Sequence, residues 1–144
     1  MTQKIIYTTS EGGVAVVHPT GEVPINRLVA MVVPEELSHF IVEVGAIPTD
    51  STFRNAWTIV GGVIEEDLTK SIVIAHDMRR RARDKEFMPY DEVISKQIPG
   101  TDLVAVEASR EEIRTRYASI QTNIDSASTV AAVKSELLVQ GIIS

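Results

Sequence analysis

Apolar and polar residues change their spacing once along this chain. Up to about residue 64 the apolar positions form short β-branched runs interrupted by glycine or proline, and beyond it they recur at intervals of three and four. The first pattern predicts strands. Lys4-Ile5-Ile6-Tyr7-Thr8-Thr9 and Val14-Ala15-Val16-Val17-His18 flank Ser10-Glu11-Gly12-Gly13, a glycine-bearing loop of hairpin length. Pro24 stands where a helix favours proline, at its start, so a short helix is expected over residues 24–31. Residues 40–44 form the third expected strand, closed by Gly45 and the Pro48-Thr49-Asp50-Ser51 turn. Trp57 and Thr58-Ile59-Val60 form another, ended by Gly61-Gly62.

The second pattern predicts helices. Glu65, Glu66 and Asp67 suit the first turn of a long helix, where carboxylates meet the positive end of the dipole. Ile64, Leu68, Ile72, Ala75, Met78 and Ala82 then share one face, with Val73 and Ile74 on opposite flanks and Arg79 inside the stripe. Residues 88–97 suggest a short helix with Pro89 near its start and Pro99-Gly100 as its stop. Thr101 or Asp102 caps a longer one, on which Leu103, Val106, Ile113, Tyr117 and Ile120 share a sector that again contains an arginine, Arg110. Ser128 or Thr129 caps a last helix over residues 130–140, with Val133, Leu137 and Leu138 as its contacts, Gly141 as its stop and Ile142-Ile143 docked on the body. The expectation is an α+β chain, a single domain over 1–144: an antiparallel sheet of three or four strands within a β-rich part (1–64), then three or four helices (65–144).

Charge and chemistry narrow the function classes. A formal charge of −6 opposes a role in coating nucleic acid, and the absence of cysteine removes disulfides and thiolate chemistry. No signal-type N-terminus or bilayer-length apolar run is present, so no membrane association is expected. His18, His39 and His76 lack metal-ligand spacing, and neither a phosphate-cradling glycine loop nor a nucleophile elbow occurs. No catalytic residue, metal ligand or cofactor site is therefore assigned. Arg79-Arg80-Arg81-Ala82-Arg83 is the one basic run, but on a helix it points in several directions and is interleaved with Asp77, Asp84 and Glu86. Both flanks of the long helix, at Val73 and Ile74, exceed what one core requires, which points to a second layer or another subunit.

The order VAVVHPTGE from Val14, FIVEVGAIPTDSTFRNAW ending at Trp57, DLTKSIVIAHDMRRRARDKEF ending at Phe87 and REEIRTRY ending at Tyr117 resembles small proteins encoded in the structural and tail regions of tailed bacteriophage and prophage genomes. In outline it is similar to tail-fibre assembly chaperones, although Phe87 and Tyr90-Asp91 stand where those carry a tryptophan-aspartate motif. The resemblance implies a non-enzymatic virion component of the tail, neck or fibre region, or an assembly factor for it. Its location would be the virion or the host cytoplasm and its partners other virion or tail proteins, while the apolar flanks at Val73 and Ile74 lead to the expectation of a homo-oligomer. Arg54, Trp57, Val73, Ile74, Arg79 and Arg110 are the candidate interaction residues. The alternatives are a nucleic-acid-binding accessory protein using residues 79–83, and a small enzyme with a concealed site.

Overall fold

The computed structural model describes residues 3–144. Its class is α+β: small antiparallel sheets precede three C-terminal helices. The chain divides into two compact units, one ending at Ser71 and the other running from Ile72 to Ser144.

In the first unit, strand β1 (Gln3–Thr8) lies between β2 (Val14–Val17) and β3 (His39–Glu43), antiparallel to both. The expected hairpin forms, its loop closed by Thr9 N–H donating to the Gly13 carbonyl at 2.7 Å. Successive side chains on a strand point to opposite faces, yet Ile5 and Ile6 are both fully buried. Both sides of β1 are therefore covered. Ile6 joins Val14, Trp57 and Ile64 in one cluster, with Val16, Val42, Ile47 and Ile59 packed around it. Helix α1 (Ile25–Val32) follows Pro24 and stops at Val33, which Pro34 holds in an extended conformation.

The stretch after Gly61-Gly62 departs from expectation. Strands β4 (Trp57–Val60) and β5 (Val63–Glu66) form a second hairpin, so Ile64, Glu65 and Glu66 belong to a strand and not to a helical first turn. The reason lies in the glycine pair. Gly61 and Gly62 adopt φ +58° and +83°, the two left-handed conformations of the turn whose twist matches a two-residue hairpin. Of the acidic trio only Asp67 serves the helix, its carboxylate accepting the Lys70 N–H at 2.8 Å.

Helix α2 (Leu68–Lys96) is continuous, where two helices divided near Pro89 were expected. Pro89 is exposed, and residues on both sides of it are held to the next helix by ion pairs, which carry the helix through a locally unfavourable residue. The buried line also differs from the apolar stripe: it runs through Ser71, Ala75 and Arg79, while Ile72, Met78 and Ala82 are half-buried. Helix α3 (Leu103–Asp125) is capped by Asp102, whose carboxylate accepts from Val104 and Ala105 N–H at 3.1 Å. Its buried residues are Ile113, Tyr117, Ile120 and Ile124; Leu103, placed in the stripe by periodicity, is exposed. Thr129 caps α4 (Val130–Val139), which buries Val133 and Leu137 but leaves Leu138 exposed. Gly141 at φ +70° ends it, with Gly141 N–H bonding the Leu138 carbonyl and Ile142 N–H that of Leu137. Ile142 and Ile143 are half-buried there, as expected of a docked tail.

Candidate functional site

The six candidate interaction residues fall in three places. Trp57 is 3% exposed and belongs to the core of the first unit, so its side chain has no face to offer a partner. Arg54 lies over the indole, 4.3 Å from guanidinium carbon to ring centroid, and its Nη2 donates to the Val14 carbonyl at 2.6 Å. These two side chains fasten the hairpin to the second sheet. Val73 stands 64% exposed on α2, whereas Ile74 on the other flank is half-buried.

Arg79 and Arg110 belong to one array in the second unit. The polar pairs between α2 and α3 are His76 with Asp125, Glu86 with Arg116 and Tyr117, and Asp91 with Arg110. As the partner advances along α2 it recedes along α3, the signature of antiparallel helices. Side chains four residues apart stack on one helix face, so Arg79, Arg83, Phe87 and Asp91 from α2 meet Arg110 and Arg114 from α3 along a cleft of about 390 Å³. Arg79 and Arg110 are candidate interaction residues of the sequence, and Arg83 belongs to the basic run of the nucleic-acid alternative, whereas Phe87, Asp91 and Arg114 are not among the sequence-based candidates. For Arg83 and Arg114 the signal is an arginine repeat at four residues in each helix, which apolar periodicity does not register; Phe87 and Asp91 continue the same four-residue spacing on α2.

The guanidiniums in this cleft have unequal surroundings. Arg110 reaches Glu107 at 2.9 Å and Asp91 at 3.2 Å, while Arg114 reaches Glu107 at 2.9 Å and Glu111 at 2.8 Å. Bonds from these two arginines hold the Glu107 carboxyl below its usual range. Arg79 is only 4% exposed, and its Nε donates to His76 Nδ1 at 3.2 Å; His76 Nε2 in turn lies 2.6 Å from Asp125. The acceptor nearest the Arg79 Nε is thus an imidazole, itself tied to a carboxylate. Burial, followed by repulsion from Arg80 and Arg83, pulls the Arg79 pKa down, opposed by Asp125. Arg83 has a carboxylate, Asp84, no nearer than 3.8 Å, and its Nε is buried without an acceptor.

Next to the cleft, Glu86 accepts from Arg116 and Tyr117. Burial works to raise the Glu86 pKa, but these two bonds outweigh it and the carboxyl is held low. Burial and the bond to Glu86 push the Tyr117 phenol up to about 12. Outside the cleft, Arg81 pairs with Asp77 at 2.7 Å, and Arg80 is exposed, so the basic run does diverge around the helix.

Apolar surface is the other feature that periodicity did not single out. Strand β3 forms a sheet border, with Phe40 and Ile41 on its opposite faces 39% and 42% exposed. Val44 follows, and the Val60 and Val63 pair lies beyond Gly62, against which the Phe40 ring packs; all three valines are exposed. Among the described residues no group of three or more His, Cys, Asp or Glu is arranged to hold a metal ion, and no helix is long and apolar enough to cross a membrane. No protein-family model, curated protein or solved structure matches the chain.

Proposed function

We propose that this chain is a non-enzymatic interaction protein of a tailed bacteriophage, either built into the virion at the tail, neck or fibre or assisting the assembly of those parts. The phage assignment draws on the residue order from Val14 to Tyr117. The interaction role draws on one observation above all: β3 borders its sheet with large apolar side chains exposed on both of its faces. A strand in that position offers a row of backbone groups and apolar contacts to another chain, and proteins that stay single usually blunt such an edge with charge or proline. In β3 the only ionisable residues are the terminal His39 and Glu43, and the centre is Phe40-Ile41-Val42. Val73 on α2 adds a separate exposed apolar position. Other virion or tail proteins and further copies of this chain are the partners in this reading, in the virion or the host cytoplasm.

Mass spectrometry of purified particles and of infected-cell extracts tests it. A stoichiometric presence in particles identifies a virion component. Presence in extracts only, co-purifying with a tail or fibre protein in a complex lost on Ile41→Glu, identifies an assembly factor. A protein absent from particles and running as a free monomer in extracts would refute the proposal.

A further inference from the structure

We propose that the arginine cleft between α2 and α3 is a binding site for the phosphate group of a small molecule. The inference is independent of the phage reading and starts from donor capacity. A guanidinium carries five N–H donors in a fixed fork. Arg110 and Arg114 are each charge-paired with two carboxylates, Asp91 and Glu107 for the first and Glu107 and Glu111 for the second, so their charge is already balanced. Among the described residues, Arg79 commits only Nε, to an imidazole, and Arg83 has no carboxylate within hydrogen-bond distance. Two adjacent guanidiniums on successive turns of one helix therefore face the same cleft with most of their donors unused.

Their proximity is itself unfavourable, since each repels the other, and one of them is almost wholly buried. A ligand with two negative charges removes that repulsion and fills both forks. A phosphate monoester carries about −1.5 to −2 near neutral pH and accepts through three oxygens, whereas a single carboxylate supplies −1 and two. The dimensions point the same way. The cleft, at about 390 Å³, has space beyond a bare phosphate, and Phe87 is among the residues that line it. Arg110 and Arg114 already lie 5.8 and 6.0 Å from the ring centroid. Phe87 is the one aromatic ring among these six cleft side chains and favours an apolar or aromatic ester group, while Asp91, the one carboxylate among them, discourages a second phosphate.

Calorimetric titration of the whole chain in phosphate-free, low-salt buffer tests the site, with inorganic phosphate and phenyl phosphate as probes. Saturable binding at one site is expected, tighter for phenyl phosphate. Half-exposed Arg83 can be changed without opening the core, and Arg83→Gln should weaken binding by about 10-fold or more. Arg81→Gln, outside the cleft, should leave it unchanged, and Asp91→Asn should tighten it by about 3-fold. Absence of saturable binding, an equal loss in Arg81→Gln, or a weakening by Asp91→Asn would overturn the proposal. So would displacement of phenyl phosphate from the cleft by a glutamate-rich peptide or a DNA oligonucleotide of higher affinity, which would assign the arginines to a macromolecular partner.

Discussion

Arg79 is the side chain whose replacement separates charge from packing. It is buried, bonded through Nε to His76, and among the described residues has no carboxylate in direct contact. Cutting it to alanine removes two methylenes beyond Cβ, about 1.6 kcal/mol of burial, and one hydrogen bond of about 1 kcal/mol. The total of about 2.5 kcal/mol is then reduced, because the desolvated guanidinium and its repulsion by Arg80 and Arg83 disappear with it. Arg79→Ala should accordingly cost about 2 kcal/mol, less than the ~3 kcal/mol of a broken buried ion pair. Arg79→Met restores the hydrocarbon without the charge and should fall within about 1 kcal/mol of wild type. Urea unfolding of the three proteins, followed by far-UV circular dichroism in phosphate-free buffer, gives the comparison. Equal destabilisation by alanine and methionine would show that the charge, not the stem, carries the contribution and would refute this reasoning.

Glu86 and Tyr117 set limits on both sides of neutrality. The Glu86 carboxyl is held low in the folded state, so its contribution is present above the unfolded value of about 4.3 and is lost as pH falls through the folded one; Glu86→Gln should flatten the acid limb of a stability profile. The Tyr117 phenol is raised to about 12, so its contribution is complete below the unfolded value of about 10 and is lost as pH rises through the folded one, an alkaline loss that Tyr117→Phe should abolish. Gly62→Ala puts a Cβ 3.1 Å from the Phe40 ring at φ +83° and should cost about 1–2 kcal/mol by chemical denaturation, while Gly61→Asn, facing open space, should be nearly neutral. Pro89→Ala restores an N–H inside α2 and should raise the melting temperature through a gain of about 1 kcal/mol or more.

The strands up to residue 60 were legible because β-branched runs and turn residues agreed there. Legibility failed where one residue type served two ends. Glu65 and Glu66 suit a helix start, but the left-handed geometry of Gly61 and Gly62 commits them to a hairpin first. Pro89 reads as a boundary in the sequence, and only the ties of Glu86 and Asp91 to α3 reveal an uninterrupted helix. The candidate site was half visible for a related reason. Arg79 and Arg110 drew notice as exceptions in apolar stripes, whereas Arg83 and Arg114 read as ordinary surface residues until α2 and α3 were set side by side. Trp57 attracted attention as the single tryptophan, yet its rarity reflects a large core residue and not an exposed contact.

The order β2-β1-β3 places the earliest of these three strands in the middle of its sheet, with consequences for how the chain reaches that arrangement. The hairpin with β2 closes after a turn of only a few residues, but the pairing of Tyr7 with His39 waits for everything between them, α1 included. Closing that longer loop costs about 1.5 kcal/mol more in chain entropy. β1–β3 docking is therefore the late step in this unit's folding, and mutations in β3 should slow folding less than equivalent ones in the hairpin. Until it occurs, a growing chain carries β1 with one side unpaired, Ile5 and Ile6 included. That nascent hairpin is where misdirected self-association on the ribosome would begin, and low temperature or slow expression should favour recovery of correctly folded protein.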